Sequence, residues 1–332
     1  MRGRGCGIRA LVAGLFPNPA LIRPLPKAGS DGIAGSDGGE EHDIALTCFR
    51  GSIRSASLDR AFEILVVPAG MMGITRAATV MSAVLSKFDP RSVVVLGIAG
   101  SIVDELQPGD VFIPDRVNEY LANAAAVGKE TWSFETSGKQ FVTDPRLLNR
   151  SQLWWTTQEG LHKGWRRNAK DRFTRKTKDL LAALENTGLQ MRPQPELYAG
   201  DDRILASGPA VAKGKAFVNW LKHEVDRKAA AIEMESAGVY DAALIRTPAP
   251  KAIAIRGISD FADDRKETLE KLAKGRFRTA AVKNATTLFV SAVEAGLFAE
   301  DPSATKIAAG PLFPIRRRVF LLLRQFLLPP TN

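Results

Sequence analysis

From about residue 62 onward the chain alternates two hydrophobic rhythms, and their order predicts an α/β protein. Residues 64–68 and 92–98 are short, nearly continuous apolar runs, the pattern of strands buried on both faces. Between them, 75–88 carries apolar residues at helical spacing. A third strand is predicted over 110–117, entered through Pro108-Gly109 and broken at Pro114. Residues 230–234 and 252–258 read as two more buried strands, and the small residues after Glu235 start a helix between them. Amphipathic helices are predicted over 209–224, with Val211, Phe217, Val218 and Leu221 inward, and over 279–295. The second has Val282, Ala285, Leu288, Phe289, Ala292 and Val293 on one stripe. Alternating strands and helices imply a central sheet covered on both faces.

The flanks break this rhythm. Residues 29–39 are a glycine-rich spacer with a repeated Gly-Ser-Asp-Gly, which cannot bury a core. Arg2, Arg4, Arg9, Arg23 and Lys27 precede the first acid, Asp31, a composition like that of a transit peptide; Pro17, Pro19, Pro24 and Pro26 spoil its helix, so a replaced start is the better reading. The expected division is a poorly structured segment over 1–60 with one edge strand at 44–49, a single domain over 61–298, and a basic, apolar tail over 299–332. Residues 1–43 and 303–332 are expected to pack poorly against the domain. The tail run from Ile315 to Leu328 is far short of the ~20 residues needed to span a bilayer and is interrupted by Arg324, so it would lie on a partner, the domain surface or an anionic interface.

Within 118–195 the pattern blurs. The run 162–178 is strongly basic with Trp165 and Phe173 interleaved. Basic residues with aromatics can track a nucleic-acid backbone, but a solvated helix is the better reading, and nucleic acid is not the expected partner. Cations near a crevice would instead favour a phosphorylated ligand.

Composition narrows the classes. At 332 residues, with 45% hydrophobic and 25% charged positions, the chain can bury a sizeable core. Only Cys6 and Cys48 occur, which excludes a disulfide framework and fits a reducing, cytoplasmic setting. His42, His162 and His223 lack ligand spacing, so neither a metal nor another cofactor is expected. The net charge of +10 points to anionic partners.

The candidate chemistry sits in Ala231-Ile232-Glu233-Met234-Glu235-Ser236-Ala237-Gly238-Val239 and in Ile255-Arg256-Gly257-Ile258-Ser259-Asp260-Phe261-Ala262-Asp263. Each places an isolated acid, Glu235 or Asp260, at the end of a strand-like run. In an open α/β sheet, side chains at strand carboxyl ends line the ligand crevice, so both acids should face one pocket.

Together these motifs resemble the nucleoside phosphorylase and nucleosidase family, and in particular its nucleosidase-like domains attached to bacterial and fungal immune or signalling proteins. Ala69-Gly70-Met71-Met72-Gly73, Gly97-Ile98-Ala99-Gly100-Ser101, Leu106-Gln107-Pro108-Gly109-Asp110 and Ala199-Gly200-Asp201-Asp202-Arg203-Ile204 follow the family's order from about residue 62 to 298. The resemblance implies a three-layer α/β sandwich with a mixed central sheet, a homo-oligomer, and cleavage of the N-glycosidic bond of a purine nucleoside or nucleotide, by water rather than phosphate. It makes Glu235 the ligand of the ribose hydroxyls, Asp260 the acid that protonates N7, and Ser259 the residue that orients Asp260.

Met234 would line the sugar, Ala99 and Gly100 would present backbone amides beside Ile98, and Ile204 would read the base edge through its backbone. Arg203 stands where related nucleosidases often carry a phenylalanine, and would stack on the base or pair with phosphate. Glu233, also a candidate substrate contact, reads better as a strand-end ion-pair partner. Asp110 is expected to end a turn, Asp263 and Asp264 to start a solvated loop or cap, and Met71 and Met72 to fill core.

Two departures bear on mechanism. Related hydrolases supply a glutamate from the first strand-to-helix turn, and related phosphorylases supply glycine and arginine there; the candidate turn here, 8–16, holds no acid. Ile98 is apolar where many relatives have a hydroxyl. The competing expectation is therefore a catalytically impaired nucleotide-sensing or interaction domain of a signalling or defence system.

Overall fold

A computed structural model describes residues 23–24, 48–128, 133–185, 189, 191–299 and 318–323. The readings of the basic leader, the glycine spacer and the 8–16 turn fall outside the described residues. The strands are β1 (Arg23–Pro24), β2 (Phe49–Ser55), β3 (Arg60–Pro68), β4 (Ser92–Ser101), β5 (Val111–Ile113), β6 (Arg116–Glu119), β7 (Ala125–Val127), β8 (Ser133–Glu135), β9 (Lys139–Val142), β10 (Leu197–Ala199), β11 (Ile204–Ser207), β12 (Ala229–Glu233), β13 (Lys251–Phe261) and β14 (Arg318–Leu323). The helices are α1 (Ile74–Lys87), α2 (Pro145–Gln152), α3 (Trp154–Thr157), α4 (Glu159–Glu185), α5 (Lys215–Trp220), α6 (Ser236–Leu244), α7 (Arg265–Ala273) and α8 (Arg276–Glu294).

Twelve of the strands form one mixed sheet, and the alternation along its central strands divides two cores. Ile64, Val66, Val94, Leu96, Ile253 and Ile255 point to the face covered by α8 and its Ala285, Leu288, Phe289, Ala292 and Val293. Leu65, Val67, Val93, Val95 and Ala254 point to the opposite face, against Ala77, Val80, Met81 and Val84 of α1 and Ala237, Val239 and Tyr240 of α6. Burying each large apolar side chain contributes about 1.5–3 kcal/mol, so the helices are held by packing more than by their own propensity. The result is the three-layer α/β sandwich with a mixed sheet expected above. Gly238 lets α6 approach α1 closely, since a Cβ there would stand 2.1 Å from the Ile74 carbonyl oxygen.

The tail departs from expectation. Residues 318–323, expected to pack poorly, form β14 in the middle of the sheet, parallel to β3 on one edge and to β4 on the other. Val319 and Leu321 are buried in the α8-side core. An all-apolar run flanked by arginines suits a strand covered on both faces as well as it suits an interface.

β14 matters for the site because it occupies only part of one edge of β4. Its register with β4 ends at Leu323↔Leu96, while β12 takes up the same strand antiparallel at Ile232↔Gly100 and Ala231↔Ser101. The other edge of β4 pairs with β13 in parallel along its whole length. The sheet therefore divides beside residues 97–99, the kind of switch point at which open α/β sheets bind ligands.

Other elements shift more modestly. The helix expected over 209–224 starts only at Lys215, after Gly214, and its end widens into a π-turn over Leu221–Val225; Val211 lies outside it and is exposed. Gly208 presses on Tyr120, whose ring a Cβ would meet at 2.1 Å, so the chain is still turning where the helix was expected. The strand expected over 110–117 is two strands, with β5 joining β10 and β13 and β6 joining β9 and β11. The break falls at Pro114, which has no amide hydrogen to donate. Met71 and Met72 are exposed rather than core, because their turn projects beyond the end of β3. The basic run 162–178 lies within α4, with Trp165 and Phe173 buried, so neither ring is presented for base stacking.

Candidate active site

The end of β13 is shaped by a bulge. Ile258 pairs with Ala99 and Asp260 with Gly100, so Ser259 is one residue more than β4 supplies. Such bulges re-aim side chains at the ends of ladders, and here it turns the Ser259 hydroxyl onto its neighbour. Ser259 Oγ donates to Asp260 Oδ2 at 2.5 Å and lies 3.3 Å from the Ala99 carbonyl oxygen. The other oxygen, Oδ1, faces Lys266 Nζ at 2.9 Å. Gly100 is small for a reason: a Cβ there would come within 3.0 Å of Asp260 Oδ1 and 3.1 Å of the Ala262 side chain.

On the opposite side of β4, β12 ends in Glu233 and turns into α6. The Glu233 carboxylate caps this helix, accepting from the amides of Glu235 at 3.0 Å and of Ser236 at 3.0 and 3.1 Å. A carboxylate is well placed there, where the helix dipole is positive. Arg256, fully buried in β13, donates to the same carboxylate and to Ser236 Oγ, the latter at 2.6 Å. Ser207 Oγ accepts from the Ala237 amide at 3.1 Å and completes the cap. Glu233 is thus held by three donors at a helix start, as an ion-pair partner would be.

Glu235 follows as the first residue of the turn, with φ −130° and ψ −32°, outside helical geometry, and is 1% exposed. β4 meets β13 at Gly100↔Asp260 and β12 at Gly100↔Ile232, three residues before Glu235, so the two acids stand at the ends of the strands that flank β4. Two acids therefore stand on either side of β4 where the sheet divides. Asp260 is 5% exposed, so both sit in a largely water-free setting in which charge interactions are strong. Met234, between two buried glutamates, is partly exposed.

Of the other expected contacts, Ile98 packs against Ala281 and Val282 of α8, so its side chain belongs to the core and only its backbone is left to a ligand. Ile204 is buried at the start of β11, and its amide donates to the Lys228 carbonyl at 3.0 Å, which takes that amide away from any base edge. Arg203 lies over the Tyr198 ring at 5.5 Å, with Arg192 also over that ring at 5.7 Å. Arg203 and Ile204 stand at the amino end of β11, whereas its other end, Ser207, pairs with Glu233. A strand rises about 3.3 Å per residue, so Arg203 and Ile204 are roughly 10 Å along the strand from the glutamate turn.

Asp110 does more than end a turn. It is buried, accepts from the amides of Gln107 and Glu196, both at 2.8 Å, and pairs with Arg192 at 2.5 Å. Burial pushes its carboxyl up to about 6 against the pull of those donors. Burial pushes the Asp263 carboxyl up, but the hydrogen bonds and charge of Arg265 together outweigh it and hold it below the usual carboxylate range. Among the described residues no group of three or more His, Cys, Asp and Glu side chains could hold a metal ion, and no helix is long and apolar enough to cross a membrane.

Arg256 and Lys266 are the site residues that sequence reasoning missed. A lone arginine inside an apolar strand needs a buried partner, which was a usable signal for Arg256. Lys266 gave none, since a lysine in a helix rich in charge reads as solvated.

Comparisons with known proteins agree with this architecture. The family model described as the phosphorylase superfamily matches residues 61–294. ATP nucleosidase Cap17 of Escherichia coli (strain KTE188) is 28% identical over 211 residues, 61% of this chain and 37% of that protein. A 5'-methylthioadenosine/S-adenosylhomocysteine nucleosidase of Staphylococcus epidermidis is 30% identical over 89 residues, 27% of this chain and 39% of its own length. The chain thus spans well under half the length of these curated relatives. Among solved structures, the corresponding nucleosidase of Neisseria meningitidis, in complex with methylthio-immucillin-A, superposes with a TM-score of 0.52 at 16% identity, over 86% of this chain and 93% of that one. Futalosine hydrolase of Helicobacter pylori gives a TM-score of 0.50 at 17% identity, over 89% and 94%. These structures share the fold, the family model spans most of the chain, and the chain belongs to the phosphorylase superfamily.

Proposed function

We propose that the chain cleaves the N-glycosidic bond of a purine nucleoside or nucleotide, with water as the acceptor. Breaking that bond leaves positive charge on the ribosyl ring and negative charge on the departing base. An anion near the sugar and a proton source near the base meet both needs, and Glu235 and Asp260, buried at the ends of the two strands that flank β4, are paired to supply them. This pairing is the observation that carries the proposal. Glu235 would accept from the ribose hydroxyls and stabilise the cationic ring. Asp260, oriented by Ser259, would protonate N7, help that is typically worth ~10²–10⁴ in rate. Met234, beside Glu235, would line the sugar, and the backbone of Ala99 and Gly100 would border the base.

The relatives, an ATP nucleosidase and a methylthioadenosine/S-adenosylhomocysteine nucleosidase, support a purine substrate. The net charge of +10 supports a phosphorylated one. We further propose that the active form is a homo-oligomer and that residues 61–298, with β2 and β14 completing their sheet, form the catalytic unit.

The test is chromatographic detection of free base after incubation with adenosine, methylthioadenosine and ATP, with and without inorganic phosphate. Base release independent of phosphate is expected. Release that requires phosphate would make the reaction phosphorolytic, and no release from any substrate would favour a sensing domain that binds without turnover.

A further inference from the structure

Lys266 is placed against its own interest in stability. It lies in the first turn of α7, where the helix dipole disfavours a cation, and its side chain is only 12% exposed. Lysine is rarely buried unless paired, and its Nζ meets Asp260 Oδ1 at 2.9 Å. The neighbouring cation is committed elsewhere: Arg265 pairs with Asp263 at 2.7 Å and with Asp104 at 2.8 Å. Ser259 holds the other oxygen of Asp260, so Oδ1 has Lys266 as its charged neighbour.

We infer that Lys266 is the proton reserve of Asp260, a role that rests on the reading of Asp260 as the acid for the departing base. The Lys266–Asp260 pair carries one transferable proton more than a bare carboxylate, whichever partner holds it. As the C–N bond breaks, its electron pair moves onto the base and N7 takes a proton from the Asp260 carboxyl. That proton is the one the Lys266 ammonium passes to the Asp260 carboxylate across the ion pair, so a single proton moves from Lys266 through Asp260 to N7. Lysine, now a neutral amine, is reprotonated from the medium, which also receives the proton lost by the attacking water. Lys266 touches Asp260 and not the base, so it acts through that residue.

A purely structural role would need only a positive charge, and this separates the two. Arginine keeps the charge but does not give up its proton in proteins. Lys266→Met and Lys266→Arg should be compared with wild type on adenosine and on 4-nitrophenyl riboside, whose leaving group departs without protonation. For both variants, the ratio of kcat on adenosine to kcat on the nitrophenyl riboside is expected to fall at least about 10²-fold, with KM for adenosine changed less than about threefold.

Recovery of the wild-type ratio by Lys266→Arg would overturn the proposal and leave Lys266 as a neutralising charge. Equal loss on both substrates would also overturn it, as a structural effect. If wild type releases adenine and neither variant alters the ratio, the function stands and the proton reserve falls. If wild type cleaves neither substrate, both readings fall together.

Discussion

Leu321→Ala is the sharpest test of the sheet that frames the site. Leu321 lies in β14, fully buried among Val66, Val94, Leu96 and the α8 stripe, with Val66 and Val94 directly opposite it on the two neighbouring strands. Truncating a buried leucine removes its transfer free energy and leaves a cavity, a loss of about 2–5 kcal/mol. The flanking strands are fixed by pairing on both sides and cannot close the gap, which argues for the upper half of that range. In a domain of this size each kcal/mol lowers Tm by roughly 2–4 °C, so a drop of roughly 6–20 °C is expected in thermal unfolding. Val142→Ala, at an exposed position 65% accessible, serves as control and should stay within about 0.5 kcal/mol of wild type. A Leu321→Ala protein melting within a degree or two of wild type would refute the placement of β14 between β3 and β4.

Other outcomes follow from the same geometry. Arg256→Met leaves the Glu233 carboxylate buried without its cation and should destabilise by about 3–5 kcal/mol in denaturant titration, with Arg256→Met/Glu233→Gln recovering part of the loss; a single variant as stable as wild type would contradict the ion pair. Gly100→Ala pushes a methyl against Asp260 Oδ1 and should lower kcat about tenfold or more while Tm changes little, checked by steady-state kinetics beside thermal melts. Arg203→Ala removes a stacking contact on Tyr198 worth about 0.5–1 kcal/mol and should leave the ATP-to-adenosine preference unchanged at low and high salt; loss of an ATP preference would bring Arg203 back to the crevice.

What could be read in the sequence follows from how local each signal is. The strands around Val93, Ile253 and Ile232 announce themselves because nearly every residue in them is buried, and the acids near the ends of the last two stand out against that apolar background. Glu233 was legible as an ion-pair partner for the same reason. β14 was not, because its partners are residues 63–68 and 92–96, more than two hundred positions away, and nothing in a short apolar run reveals which edge it will fill. Lys266 was hidden differently: its neighbours Arg265, Glu267 and Lys271 make α7 look solvated, and only the bulge at Ser259 brings Asp260 within its reach. The base-reading roles of Arg203 and Ile204 came from motif position, and register places both at the amino end of β11, with Ser207 at the end that adjoins Glu233.

The central claim is that Glu235 and Asp260 together cleave the glycosidic bond, one from the sugar side and one from the base side. The most direct measurement is the rate of adenine release by Glu235→Ala and by Asp260→Asn, each checked for a wild-type melting profile. Both charges develop only in the transition state, so kcat should fall at least about 10²-fold in each variant while the fold is retained. Adenine release by a folded Asp260→Asn protein within about threefold of wild type would contradict the account, because an amide cannot supply the acidic proton.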